Sequence, residues 1–277
     1  MASGTKKKGT PKKVAKATRS SVVTKRGVPW GTIIAVVAVV ALAAVVVTYY
    51  LVQSAPKRAL QDWVPTDGNP DPSTQLAGIV IKQYTGSVHV LPTERVAYDS
   101  SPPFGGPHDG YWAACTGIVY PTAVRTENMV HALEHGAVWI AYNPGQVTGE
   151  ALTKLQSKVN GKPYTMMSPY PGLDRPISLQ SWGHQLKVDS ADDVKIDEFV
   201  TALRQNPHTY PEVGASCDAL GAGMFDPGNP PPFDPKPPGP DAKPMDYKGS
   251  AGAQQEAGNT GMVPSSAAQA PPSAPRS

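Results

Sequence analysis

Six histidines occur in the 277 residues, and four of them, His89, His108, His131 and His135, fall within 47 consecutive positions. A neutral imidazole ligates a transition ion through one nitrogen while its other nitrogen is oriented by a hydrogen bond. His131 and His135 are four residues apart in TENMVHALEHG, whose pattern predicts a short helix. Both rings then leave one face about 6 Å apart along the axis, a spacing that lets them share an ion. His108 lies in the Gly- and Pro-rich SPPFGGPHDG, a loop that can fold over that face, and His89 can converge from another. The expected cofactor is copper or zinc. Copper is preferred, because a nitrogen-rich set does not exclude Cu(II), which stands above zinc in the Irving–Williams order. Glu134 reads as an acceptor that orients a neighbour rather than as a ligand. The structural alternative stays open: His135 suits a helix C-terminus, and a buried histidine often only satisfies a carbonyl.

HALEH also fits the His-x-x-Glu-His arrangement of inverted zinc peptidases, with the glutamate as activator of water. The helix is short, stops at Gly136, and only Glu198 can be offered as a third ligand. A metallohydrolase is therefore the weaker reading, and no catalytic residue is assigned. No phosphate-cradling Gly-rich loop, nucleophile elbow or CxxC motif is present. Cys115 and Cys217, an even number, read as a disulfide in an oxidising compartment. The alternative is Cys115, seven residues after His108, as a thiolate ligand. Met166 and Met167 could add thioethers, but strand alternation sends them to opposite faces, and core filling is the simpler role.

The elements that must position these residues fit an α+β domain with a mixed sheet and about three helices. GIVIKQY, ERVAY, AVWIAY, PYTMMSPY and ISLQSWGHQLKV read as strands. TENMVHALEHG, capped by Thr126 and closed by Gly136, is the first helix. VTGEALTKLQSKVNG is the second, through Leu152, Leu155 and Val159, and DDVKIDEFVTALRQN the third, through Val194, Phe199, Val200 and Leu203. Residues 76–220 form this domain. Ahead of it come a basic tail, 1–28, a transmembrane helix, 29–53, and a Pro-containing linker, 54–75. After it, 221–277 carries 13 of the 31 prolines and reads as a disordered tail.

Nine of the 25 basic residues precede Gly27, with no acid among them, so the rest of the chain is net negative although the whole is +3. That asymmetry argues against a nucleic-acid binder and, by the positive-inside rule, places the N-terminus in the cytoplasm and the domain outside. The span is a single pass through the plasma membrane, and the lipid membrane is the expected partner. An envelope protein engaging the Pro-rich tail is a further candidate partner.

The blocks PPFGGPHDGYWAACTGIVY, ENMVHALEHGAVWIAYNP, SPYPGL, SWGHQLKVDSADD and PEVGASC together resemble a bacterial, mainly actinobacterial, membrane-anchored family, domain of unknown function 3105. The resemblance covers about residues 76–220. It implies recurring positions at His89, His108, Trp112, Cys115, Glu127-Asn128, His131, Glu134, His135, Trp182 and Cys217, among others, but no settled activity. In similar sequences plain aliphatics usually stand near Met166 and Met167, which again favours the histidines. The reading is a membrane-anchored extracytoplasmic metal-binding domain. Its rival is a metal-free envelope interaction or assembly module in which histidines and tryptophans are structural.

Overall fold

A computed structural model describes residues 27–249. The basic segment before Gly27 and the part of the Pro-rich tail from residue 250 onward lie outside the described residues. The chain divides near residue 55 into two compact units. The first is dominated by α1, Trp30–Ala59, in which the 23 residues Trp30–Val52 are long and apolar enough to cross a membrane, as an anchor or as a signal sequence. At about 1.5 Å per residue that stretch covers roughly 35 Å, against about 30 Å of hydrocarbon. Its Val, Ile and Leu side chains are exposed.

The second unit is built on a mixed six-stranded sheet. Its strands are β1 (Val80–Ile81), β4 (Thr116–Val119), β5 (Val138–Tyr142), β6 (Thr165–Pro169), β7 (Ile177–Ser181) and β8 (His184–Val188). Their order is β1-β8-β7-β5-β6-β4, with β4 and β5 both parallel to β6 and the other pairs antiparallel. A separate parallel pair joins β2 (His89–Val90) to β3 (His108–Asp109). Among the described residues three α-helices, α2 (Thr126–Glu134), α3 (Gly149–Val159) and α4 (Lys195–Leu203), and two short 3-10 turns, Gln61–Trp63 and Pro72–Gln75, accompany the sheet.

Strand alternation splits the core in two. Val138, Ile140 and Met167 face one way and pack with Leu155 and Val159 of α3 and Ile196, Phe199 and Leu203 of α4. Trp139, Ala141 and Met166 face the other way, toward Met129, Val130 and Leu133 of α2. The two methionines thus stand in different cores, as alternation requires. Gly136 ends α2 at φ 87°, and a Cβ there would come within 2.6 Å of the Tyr210 ring. Arg125, not Thr126, is the residue before the first turn, and no side-chain hydrogen bond closes that end. On α4 the inward stripe includes Ile196, whereas Val194 lies before the helix and is exposed.

Two boundaries need correction. The helix runs on to Ala59, and the later part of the expected linker docks on the domain: Ser73 and Leu76 are buried, and Asp71 accepts from Ser73 N at 3.1 Å and meets Nε2 of His184 at 3.1 Å. The segment from 221 to 249 is likewise packed rather than a free spacer. Phe225 is fully buried, and Phe233 lies 4.9 Å, centroid to centroid, from Tyr170. Arg125 N donates to Pro231 O at 2.7 Å, Phe233 N to Ala123 O at 3.2 Å, and Lys243 N to Arg95 O at 2.7 Å. Composition misses this because two aromatics suffice to anchor the segment, and a proline that lacks an N–H still offers a carbonyl.

Candidate metal centre

The ladder between β2 and β3 pairs His89 with His108 and so sets their rings side by side, 4.9 Å between centroids. α2 packs against β3 and brings His131 to 4.7 Å from the His108 ring and 5.1 Å from that of His89, while His135, one turn on, is 4.6 Å from His131. Three of these rings are held alike. Nδ1 of His108 donates to Gly106 O at 2.8 Å, Nδ1 of His131 to Asp109 O at 2.5 Å, and Nδ1 of His135 to Ser216 O at 2.6 Å. With Nδ1 donating, a neutral ring carries its lone pair on Nε2, whereas Nε2 of His108 faces the Glu134 carboxylate and holds a proton that an ion would displace. The carbonyls are themselves secured. Asp109 forms an ion pair with Arg125 and accepts from Tyr111 N, and the Cys115–Cys217 disulfide, Cα–Cα 4.7 Å, fixes the strand next to Ser216. Cys115 is therefore spoken for as a bridge and not as a thiolate ligand.

Glu134 stands among the imidazoles rather than behind them. Its Oε2 is 2.7 Å from His108 Nε2, and its Oε1 accepts the backbone N–H of Ser87 at 2.6 Å. Gly86 is needed at this lid: a Cβ there would lie 2.5 Å from Glu134 Oε1 and 2.8 Å from Pro211. His89, His108, His131 and Glu134, each no more than 1 % exposed, offer four donor atoms within 4.8 Å of one another. Ligands at about 2.0–2.1 Å from one ion can be at most about 4.2 Å apart, so small side-chain shifts close the set. His135 falls in a second group, with His131 and Glu212, of the same compactness. The four histidines thus occupy two overlapping groups that share His131.

Charge is distributed unevenly. Burial, then the neighbouring His108 and His135, push His131 well below the usual histidine range, so it stays neutral. Burial acts against His108 too, but the charge and hydrogen bond of Glu134 outweigh it and raise it; the same pair holds Glu134 below the usual carboxylate range in spite of burial. Trp112 lies 4.8 Å from the His135 ring and Trp182 packs edge-on at 5.8 Å from His108, giving the cluster apolar walls.

Residues 89–219 match the family model described as a protein of unknown function, DUF3105. The matched region belongs to that family. No curated protein and no solved structure matches the chain. The DUF3105 region begins at His89 itself and contains every donor of both groups, whereas β1, the docked turn at Pro72–Gln75 and the segment from 221 to 249 pack on it from outside the match. Glu212 is the member of the DUF3105 site that sequence reasoning missed. It stands 77 positions from His135, and only its place in the PEVGASC block, five residues before Cys217, marked it. The bridge brings that block back to α2, where Glu212 N donates to Glu134 O at 3.3 Å.

Proposed function

We propose that this protein is a membrane-anchored metal-binding protein whose buried His89, His108, His131 and Glu134 hold a single transition ion, with copper favoured over zinc. The observation that carries this reading is the common orientation of the imidazoles: backbone carbonyls take the Nδ1 protons of His108 and His131, and the Nε2 atoms gather with a carboxylate inside a hydrophobic core. Ligating histidines are oriented in this way, whereas a histidine that merely satisfies a carbonyl needs no partner imidazoles. Three nitrogens and one carboxylate suit copper or zinc, and the Irving–Williams order favours Cu(II) where both are available. A bound ion would supply the positive charge that this cluster otherwise shares between His108 and Glu134. Peptide hydrolysis fits poorly, because these four residues are closed off from solvent.

The outward placement of the domain is part of the proposal. It is supported by the excess of basic residues before the apolar helix and by a disulfide, which persists in an oxidising compartment. The test is elemental analysis of the full-length chain, purified in detergent without a polyhistidine tag. One equivalent of copper or zinc is expected, and His131→Ala should abolish it. A chain that takes up neither ion at neutral pH returns the histidines to a structural role and the protein to the metal-free module.

A further inference from the structure

The two donor groups cannot both have their full set of ligands at once. They share His131, whose Nδ1 is engaged with the carbonyl of Asp109, so one nitrogen, Nε2, serves both. A neutral imidazole protonated at Nδ1 has a single ring lone pair and ligates one ion at a time. The inner group is sealed. The outer group of His131, His135 and Glu212 reaches solvent through Glu212, whose side chain is 19 % exposed while that of His135 is 2 % exposed. Glu212 lies 3.3 Å from His135 Nε2 and accepts the Ser87 hydroxyl at 3.1 Å, on the same Gly86–Ser87 lid that touches Glu134.

We infer that the outer group is an entry and exit station for a divalent transition ion, and that the ion reaches the inner group by pivoting on His131. This rests on the metal-binding reading and adds the route to it. His131 keeps its bond throughout, while His135 and Glu212 are exchanged for His108, His89 and Glu134. No electron moves. Each group contributes one carboxylate, so the ion meets the same formal ligand charge at both stations and neither is an electrostatic trap. Such stepwise exchange never strips the ion of protein ligands, which allows a sealed site to load without unfolding.

The experiment uses the full-length chain in detergent and Cu(II) alone, comparing wild type with Glu212→Gln, His135→Gln and Glu134→Gln. Uptake and chelator-driven extraction are followed by stopped-flow absorbance, and equilibrium affinity by competition. Thiol alkylation with and without reductant checks that each variant keeps its disulfide. Glu212→Gln and His135→Gln should slow both uptake and extraction about tenfold or more with affinity within about threefold of wild type, whereas Glu134→Gln should weaken affinity by at least about tenfold without slowing uptake. Stoichiometry should be one. The relay is overturned if Glu212→Gln and His135→Gln weaken affinity as much as Glu134→Gln, since that describes one composite shell. It is overturned equally by unchanged rates, or by two ions per chain. A wild-type chain that binds no Cu(II) fails differently, with every variant silent, and removes the metal-binding reading together with the route.

Discussion

An imidazole shut inside hydrocarbon loses its hydration, and neighbouring imidazoles repel whenever more than one is charged. His131 meets both penalties, burial first and then His108 and His135, and is held neutral. A core built only for stability would replace such a cluster with aliphatic side chains of similar volume. Retaining it makes sense when the lone pairs are used. Truncation of His131 should therefore do more than open a cavity: Cu(II) affinity should fall by orders of magnitude in a competition titration, because a donor fixed by the Asp109 carbonyl is gone. The lid gives a finer test. In Gly86→Ala the new methyl group must displace either Glu134 or Pro211, so affinity should drop about 10- to 100-fold, the range for support lost around a ligand, with little change in the far-ultraviolet circular dichroism. An unchanged affinity would mean that Pro211, and not Glu134, gives way to the methyl group.

At the level of elements, the contact between Asp71 and His184 ties the turn at Pro72–Gln75 to β8. Burial opposes ionisation of Asp71, but hydrogen bonds from His184 and Ser73 prevail and lower its pKa. The unfolded chain then binds the proton more readily, so Asp71 stabilises the fold above its unfolded pKa of about 3.9 and ceases to do so as pH falls through the lower folded value. Asp71→Asn should cost about 1 kcal/mol at neutral pH, and its unfolding curve should converge on wild type in acid. The packed segment after Gly221 contributes more to stability: Phe225→Ala should cost about 3–5 kcal/mol by denaturant unfolding, whereas a solvated spacer would cost nothing. These elements also show where the sequence was legible. AVWIAY, the amphipathic α3 and α4 and the helix bearing HALEH follow from local periodicity and Gly136. The registry of His89 with His108, the docking of Asp71, and Phe225 in the core depend on contacts between distant residues, and no local pattern carries them. Glu134 does meet His108 as an orienting acceptor, the role its place in HALEH suggests, but the Ser87 backbone that also holds its carboxylate lies 47 residues away and no local pattern marks it.

For the molecule as a whole, two independent physical arguments bear on which side of the membrane the domain occupies. Charge is one: the positive residues ahead of α1 favour retention of that end in the cytoplasm. Redox chemistry is the other, because the bridge between Cys115 and Cys217, 102 positions apart, would be kept reduced in an ordinary cytoplasm. Closing so long a loop is worth up to about 4.7 kcal/mol on the chain-entropy model, and it also holds the segment bearing Ser216 and Glu212 against α2. The two arguments can be made to confront each other. In wild type, protease added to sealed right-side-out membranes should digest the domain, and its cysteines should resist alkylation until reductant is added. Replacing the nine basic residues before Gly27 with glutamine should invert a fraction of the chains, and that protease-protected fraction alone should carry free thiols. Free thiols in the wild-type chain, or a domain cleaved only after the membranes are opened, would break the link between charge, orientation and bridge.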